Sequence, residues 1–93
     1  MKSPDAFRKF CSSFQRDSFE YGSTFEDVTK AAFACLTLAE QAQIRTYFDY
    51  MLSDKCSGSD VIGMWRRGRP EEGLGRTKDA KNVLHRMRAI MGE

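Results

Sequence analysis

The sequence predicts an all-α fold, a single compact domain of about five short helices that covers residues 1–93. Residue types that favour helices outnumber those that favour strands, because Ala, Leu and Met total 18 whereas Val and Ile total six. The chain has only two prolines, and its apolar residues recur at helical spacing along most of its length. Ninety-three residues are enough for one hydrophobic core and too few for two domains.

The first two helices are predicted from their start signals and their apolar stripes. Helix one is expected over residues 4–16, with Ser3 as N-cap and Pro4 in the first turn. Its stripe follows the i, i+3, i+4, i+7 spacing at Phe7, Phe10, Cys11 and Phe14. Helix two is expected after a capping box that joins Ser23 and Glu26. Its buried face would consist of Phe25, Val28, Ala32, Cys35 and Leu36.

Helix three is predicted to follow helix two after a very short corner, because Thr37 and Glu40 form a second capping box. The two helices are then expected to form an antiparallel hairpin. The buried stripe of helix three is predicted to be Ile44, Tyr47, Phe48, Met51 and Leu52. Tyr50 lies outside this stripe, and we expect it to be an exposed aromatic side chain.

Two further helices are predicted in the last third of the chain. After a polar loop over residues 53–59, Ser59 and Asp60 are expected to cap a short helix that carries Trp65 as a core residue. A second loop, 69–76, is rich in glycine and charge, and Thr77 is expected to cap the last helix. That helix has a regular apolar stripe at Ala80, Val83, Leu84, Met87, Ile90 and Met91.

Composition and cysteine content place the chain among soluble intracellular proteins. The longest apolar run, residues 31–36, is far shorter than the roughly 20 residues that a membrane span needs. No apolar stretch with a cleavage site follows Met1, so we expect a cytoplasmic protein that does not enter a membrane. Three widely spaced cysteines cannot form a complete disulfide framework, and reduced thiols are expected. Cys56 is interpreted as a loop thiol, and Cys11 and Cys35 as small hydrophobic residues.

Motifs of enzymes are missing from the sequence. It contains no nucleophile elbow, no phosphate-binding loop and no zinc-protease helix. The single histidine, His85, is expected at the edge of the last apolar stripe, where no carboxylate or thiol partner is predicted. We therefore predict a protein that is not an enzyme and that holds no metal or cofactor.

Charge is distributed unevenly, although the net charge is only +2. Residues 1–62 carry seven Lys or Arg and nine Asp or Glu, whereas residues 63–93 carry eight and four. The basic end favours one alternative function, a small helical module that binds nucleic acid. Its phosphate contacts would come from Arg66, Arg67, Arg69, Lys81 and Arg88.

Three segments resemble a family of small helical immunity proteins from bacterial contact-dependent growth inhibition systems. These are residues 14–23 (FQRDSFEYGS), 25–28 (FEDV) and 38–41 (LAEQ), and Trp65 fits the family's tryptophan near the start of the last third. The similarity spans roughly residues 5–67. It implies a cytoplasmic inhibitor without catalytic activity. Such an inhibitor binds one toxin domain, often a nuclease, and blocks its active site or an adjacent surface.

The acidic part of the chain is consistent with that implied function. A nuclease presents a cationic cleft to its substrate, so carboxylates gathered on one surface would imitate phosphates and steer association with the toxin. Tyrosines would anchor the complex, because aromatic side chains dominate interface energetics. The predicted partner-binding residues are Asp17, Glu20, Tyr21, Asp27, Asp49, Tyr50 and Asp54. The expected partner is one cognate toxin domain in a 1:1 complex, and nucleic acid is the less favoured partner.

Overall fold

The computed structural model describes residues 2–15, 24–70 and 73–92, which form five α-helices and no strand. The predicted all-α fold with five helices is therefore confirmed. In chain order the helices are α1 (Asp5–Cys11), α2 (Phe25–Ala34), α3 (Leu38–Met51), α4 (Gly58–Arg67) and α5 (Thr77–Ile90).

Three of the helices begin with a capping box, in which a hydroxyl and a carboxylate three residues apart each accept a backbone N–H. The box of α3 joins Thr37 and Glu40, as predicted. The box of α2 joins Thr24 and Asp27, one position later than the predicted pair. The box of α4 starts at Ser57 instead of the predicted Ser59, so this helix begins earlier in the loop.

The other two helix starts differ from the prediction in the residue that precedes the helix. Pro4 is the N-cap of α1 and Arg76 that of α5, and neither makes a side-chain capping bond. Thr77, the predicted cap, is the first residue of α5. Helix α1 also ends at Cys11 and not at residue 16, because turns closed by the carbonyls of Phe10 and Cys11 follow it.

Helix α5 packs against α2, α3 and α4, and α1 packs against α2 and α3. Helices α2 and α3 make little contact with each other, because each packs on α5 and α1 instead, so the predicted antiparallel hairpin was wrong. Aromatic side chains in edge-to-face contact fill much of the space between the helices. The Trp65 ring, 1% exposed, lies 5.0 Å from the Phe14 ring and 6.0 Å from the Phe7 ring between centroids, both in edge-to-face geometry. Phe7 also meets Tyr47 at 4.8 Å. Trp65 is thus a core residue, as predicted.

The cysteines are free thiols, but two of them lie in other environments than predicted. Cys56 is buried beside Met64, with 3.8 Å between the sulfur atoms, because the loop folds back over the start of α4. Cys35 is exposed at the end of α2. Cys11 is buried as predicted, and burial raises the pKa of its thiol, which keeps the group protonated and unreactive.

Candidate functional site

Four of the seven predicted partner-binding residues lie in the described part of the chain. Asp17, Glu20 and Tyr21 fall outside it. Asp27 lies in the first turn of α2, Asp49 and Tyr50 lie in the last turn of α3, and Asp54 lies in the loop that leads to α4.

Asp27 is exposed, but its carboxylate already has a structural role. Its Oδ2 accepts the backbone N–H of Thr24 at 3.1 Å, and the Thr24 hydroxyl accepts the N–H of Asp27. Glu26, the predicted capping residue, instead pairs with Arg86 of α5 at 3.0 Å. Asp27, and not the predicted Glu26, is therefore the capping carboxylate of α2, because Asp27 is the third residue after the N-cap Thr24.

The structure separates Asp27 from the acids at the end of α3. Asp49 pairs with Arg88 at 2.8 Å, and Glu26 pairs with Arg86. Residues two apart on a helix point about 200° apart, so these arginines reach towards opposite flanks of α5. The first turn of α2 lies on one flank and the end of α3 on the other. Of the four candidates in the described residues, Asp49 and Tyr50 share the last turn of α3, and Asp54 follows three residues after the end of that helix.

Tyr50 is half-buried and packs against the core, so the prediction of an exposed aromatic was wrong. The reason is tertiary, because the side chain packs against the core and shares a groove with residues of α4. Between the two helices is an open groove of about 370 Å³. It is lined by Tyr50, Ser59, Asp60, Gly63, Met64 and Arg67, and we call it the α3–α4 groove.

The α3–α4 groove has an acid at one end and a base at the other. Asp60 accepts the Ser57 backbone N–H at 2.9 Å, and this bond lowers the pKa of its carboxyl, which is therefore ionised at neutral pH. Arg67 lies seven residues further along α4, on the same face and about 10 Å away along the axis. Gly63 lies between them. Arg67 was predicted only as a phosphate contact of the alternative function, and neither Asp60 nor Gly63 was predicted to bind a partner, although the i, i+3, i+7 spacing of the three residues indicates a shared helix face.

The basic residues of the alternative function do not form one free cluster. Lys81 donates to the Ser53 carbonyl oxygen at 2.9 Å, and Arg88 is held by Asp49. Arg66, Arg67 and Arg69 are exposed at the end of α4 and just beyond it, and none forms an ion pair with another described residue.

Metal-ligating side chains are not clustered in residues 2–15, 24–70 and 73–92. No cluster of three His, Cys, Asp or Glu side chains there has the arrangement to hold a metal ion. His85 is exposed on α5.

Comparisons with protein families, curated proteins and solved structures return no match for this chain. Within the described residues, none of the helices combines the length and the apolar character needed to cross a bilayer.

Proposed function

We propose that this chain is an immunity protein that binds one cognate toxin domain, a nuclease, and neutralises it in a stoichiometric complex within the cytoplasm. The observation that carries this proposal is the grouping at the end of α3. There the half-buried Tyr50 lines an open groove, and the exposed carboxylates of Asp49 and Asp54 lie close by along the chain.

This arrangement has the anatomy of a protein-binding hot spot. A tyrosine whose ring is already packed on one side loses little conformational freedom when a partner covers the other side. Exposed acids around it contribute to the encounter rate, because they attract a cationic surface before contact forms. A nuclease must expose such a surface to bind its substrate.

What each acid contributes to association depends on whether its carboxylate already has a partner within the fold. Asp54 has no hydrogen bond or ion pair to another described residue, so its charge is free to act on a partner. The charge of Asp49 is partly neutralised by Arg88, which has only 22% of its side chain exposed. Asp54 is therefore the better candidate for steering, and Tyr50 for affinity.

The test is a binding titration with the toxin domain encoded by the gene immediately upstream. We expect a 1:1 complex by light scattering, and an affinity that falls about 30-fold or more in Tyr50→Ala, as for an aromatic hot spot. Asn82→Ala, at an exposed position on α5, is the control and should bind as the wild type does. A wild-type chain that forms no complex with the toxin domain contradicts the proposal.

Nucleic-acid binding is the second candidate, supported by three exposed arginines around the end of α4 that form no ion pair with any other residue the structure describes. We give it less weight because Lys81 and Arg88 are engaged within the fold. A gel-shift assay with single- and double-stranded probes at low salt tests it. Binding that weakens steeply with salt and is lost in an Arg66→Ala, Arg67→Ala, Arg69→Ala variant supports this candidate, and the absence of any shift removes it.

A further inference from the structure

Leu38, the first residue of α3, is a large apolar side chain that lies in solvent and is 82% exposed. Among the residues that the structure describes, no other large apolar side chain is exposed. The capping box of Thr37 and Glu40 fixes the first turn of α3, so Leu38 is held on ordered backbone. A single exposed leucine is common on soluble proteins, so the surface around it decides what it can bind.

An apolar groove lies one to two turns further along α3. It is lined by Pro4 at the start of α1 and by Ala42, Gln43 and Thr46 of α3, and its volume is about 260 Å³. We call it the α1–α3 groove. Small-molecule sites usually have about 300–1,000 Å³, so this groove fits one inserted side chain better than a small ligand.

The surface that joins Leu38 to the groove carries no charge. In a chain of which 30% of the residues are charged, every exposed residue from 31 to 46 is uncharged. The two charged residues of α3 in this range are only partly exposed: Glu40 pairs with Lys9, and Arg45 lies over the Phe33 ring. This surface therefore complements another uncharged surface, and it offers nothing to a strongly cationic or anionic partner.

We propose that two copies of this chain associate through antiparallel α3 helices, so that Leu38 of each copy enters the α1–α3 groove of the other. A twofold symmetric contact requires that the protruding residue and its receptor lie on the same patch, and both lie on α3 here. When Leu38 lies opposite Thr46 of the second copy, the twofold axis passes at the midpoint, Ala42. Alanine at that point lets the two backbones approach closely.

The predicted dimer is weak and reversible. One helix face and one groove bury less than the roughly 1,200–2,000 Å² of total surface that stable complexes bury. We therefore expect a dissociation constant of about 10 μM to 1 mM. This association does not depend on the proposed function, because it involves no residue of the toxin.

Sedimentation equilibrium of the full chain at about 10 μM to 1 mM measures the association. The wild-type mass should approach that of the dimer at the upper end of this range. Leu38→Lys should weaken association about 30-fold or more, because it would bring an ammonium group into an apolar groove. Asn82→Lys, at an exposed position on α5, is the matched control and should associate as the wild type does. Both variants should keep the wild-type melting temperature at low concentration, since both positions are exposed in the single chain.

A double variant tests the antiparallel register. Leu38→Lys, Thr46→Glu places opposite charges next to each other across the interface, twice in each dimer. Within one copy the two positions are about 12 Å apart along α3, too far to form an ion pair. The double variant should therefore associate at least about fivefold more tightly than Leu38→Lys alone.

Disulfide cross-linking tests the position of the twofold axis. In a Cys35→Ser background, which removes the exposed thiol, Ala42→Cys should form a covalent dimer under mild oxidation, because the two Cα atoms lie close together at the axis. Asn82→Cys in the same background should remain monomeric.

The contrary outcomes are distinct. A wild-type chain that is monomeric at 1 mM overturns the proposal, and so does a dimer that Leu38→Lys leaves intact, because another surface would then form it. A double variant no tighter than Leu38→Lys overturns the antiparallel arrangement. A monomeric chain whose toxin binding is lost in Leu38→Lys also overturns the dimer, because the toxin would then cover this face. Failure to bind any toxin domain removes the proposed function and leaves the dimer standing.

Discussion

Replacing Gly68 with alanine is expected to destabilise the fold, because this glycine is the point where the end of α4 touches α1. An added Cβ would overlap the Cys11 sulfur and lie 2.9 Å from the Cys11 Cβ and 3.0 Å from Cε2 of Phe7. Neither Cys11 nor Phe7 is exposed, so neither side chain can move into solvent. Backbone conformation is not the reason for glycine here, since φ is −75°.

The size of the effect follows from two opposing contributions. Forcing an extra methyl group into a packed core costs about 1–3 kcal/mol. Alanine also has less conformational freedom than glycine in the unfolded chain, which stabilises the folded state by about 0.4–1 kcal/mol. These ranges give a net loss of about 0–2.6 kcal/mol, and we expect the part above about 1 kcal/mol because both neighbours of the new Cβ are fully buried. Such a loss should lower the melting temperature by about 4–20 °C for a domain of this size.

Thermal unfolding followed by circular dichroism tests this expectation in a double-mutant cycle. Cys11→Ala removes the sulfur that the new Cβ would overlap. The double variant Cys11→Ala, Gly68→Ala should therefore be more stable than the sum of the two single effects predicts, by at least about 0.5 kcal/mol. A Gly68→Ala protein that melts at or above the wild-type temperature, or strictly additive effects, would refute the packing of α1 on the end of α4.

Three further predictions concern Trp65 in the core, the capping carboxylates of α3 and α4, and the exposed loop acid Asp54. Trp65→Ala should cost about 3–5 kcal/mol in urea unfolding, a large part of the roughly 5–14 kcal/mol expected for a domain of this length. Backbone hydrogen bonds lower the pKa values of Glu40 and Asp60 in the folded state, so their stabilisation is complete above the unfolded-state pKa and is lost as the pH falls through the folded-state pKa. The melting temperature should thus decline below about pH 4.5, and Glu40→Gln should flatten that decline. Asp54→Lys should slow association with the toxin domain several-fold at low salt and leave dissociation nearly unchanged in stopped-flow kinetics.

Each of these predictions has a control. Asp54→Asn, at an exposed loop position, should keep the acid-dependent decline that Glu40→Gln flattens. Trp65→Phe keeps an aromatic edge in the core and should cost less than Trp65→Ala. Equal loss in both tryptophan variants would contradict the edge-to-face packing, and an unchanged association rate in Asp54→Lys would remove that acid from the steering surface.

Features that depend on neighbouring residues were predictable from the sequence, whereas those that depend on how helices dock were not. The capping box at Thr37 was predictable because it needs only two residues three apart. The environment of Tyr50 was not, because it depends on α4 lying beside the end of α3. The same applies to Cys56, which a loop turns into the core.

The candidate site shows the same division. The sequence indicates acids and tyrosines in its first two thirds, but only the fold places the first turn of α2, where Glu26 pairs with Arg86, on one flank of α5 and Asp49 on the other. Among the glycines of α4, residue type alone does not distinguish the closely packed Gly58 from the open Gly63. That difference requires the positions of the neighbouring helices.

Titration of the toxin domain's nuclease activity with the wild-type chain tests the central claim most directly. The proposed immunity function predicts that activity falls linearly with added chain and reaches zero at one molar equivalent, when the chain is mixed at concentrations well above the dissociation constant. Full nuclease activity in the presence of several equivalents of folded chain would contradict it.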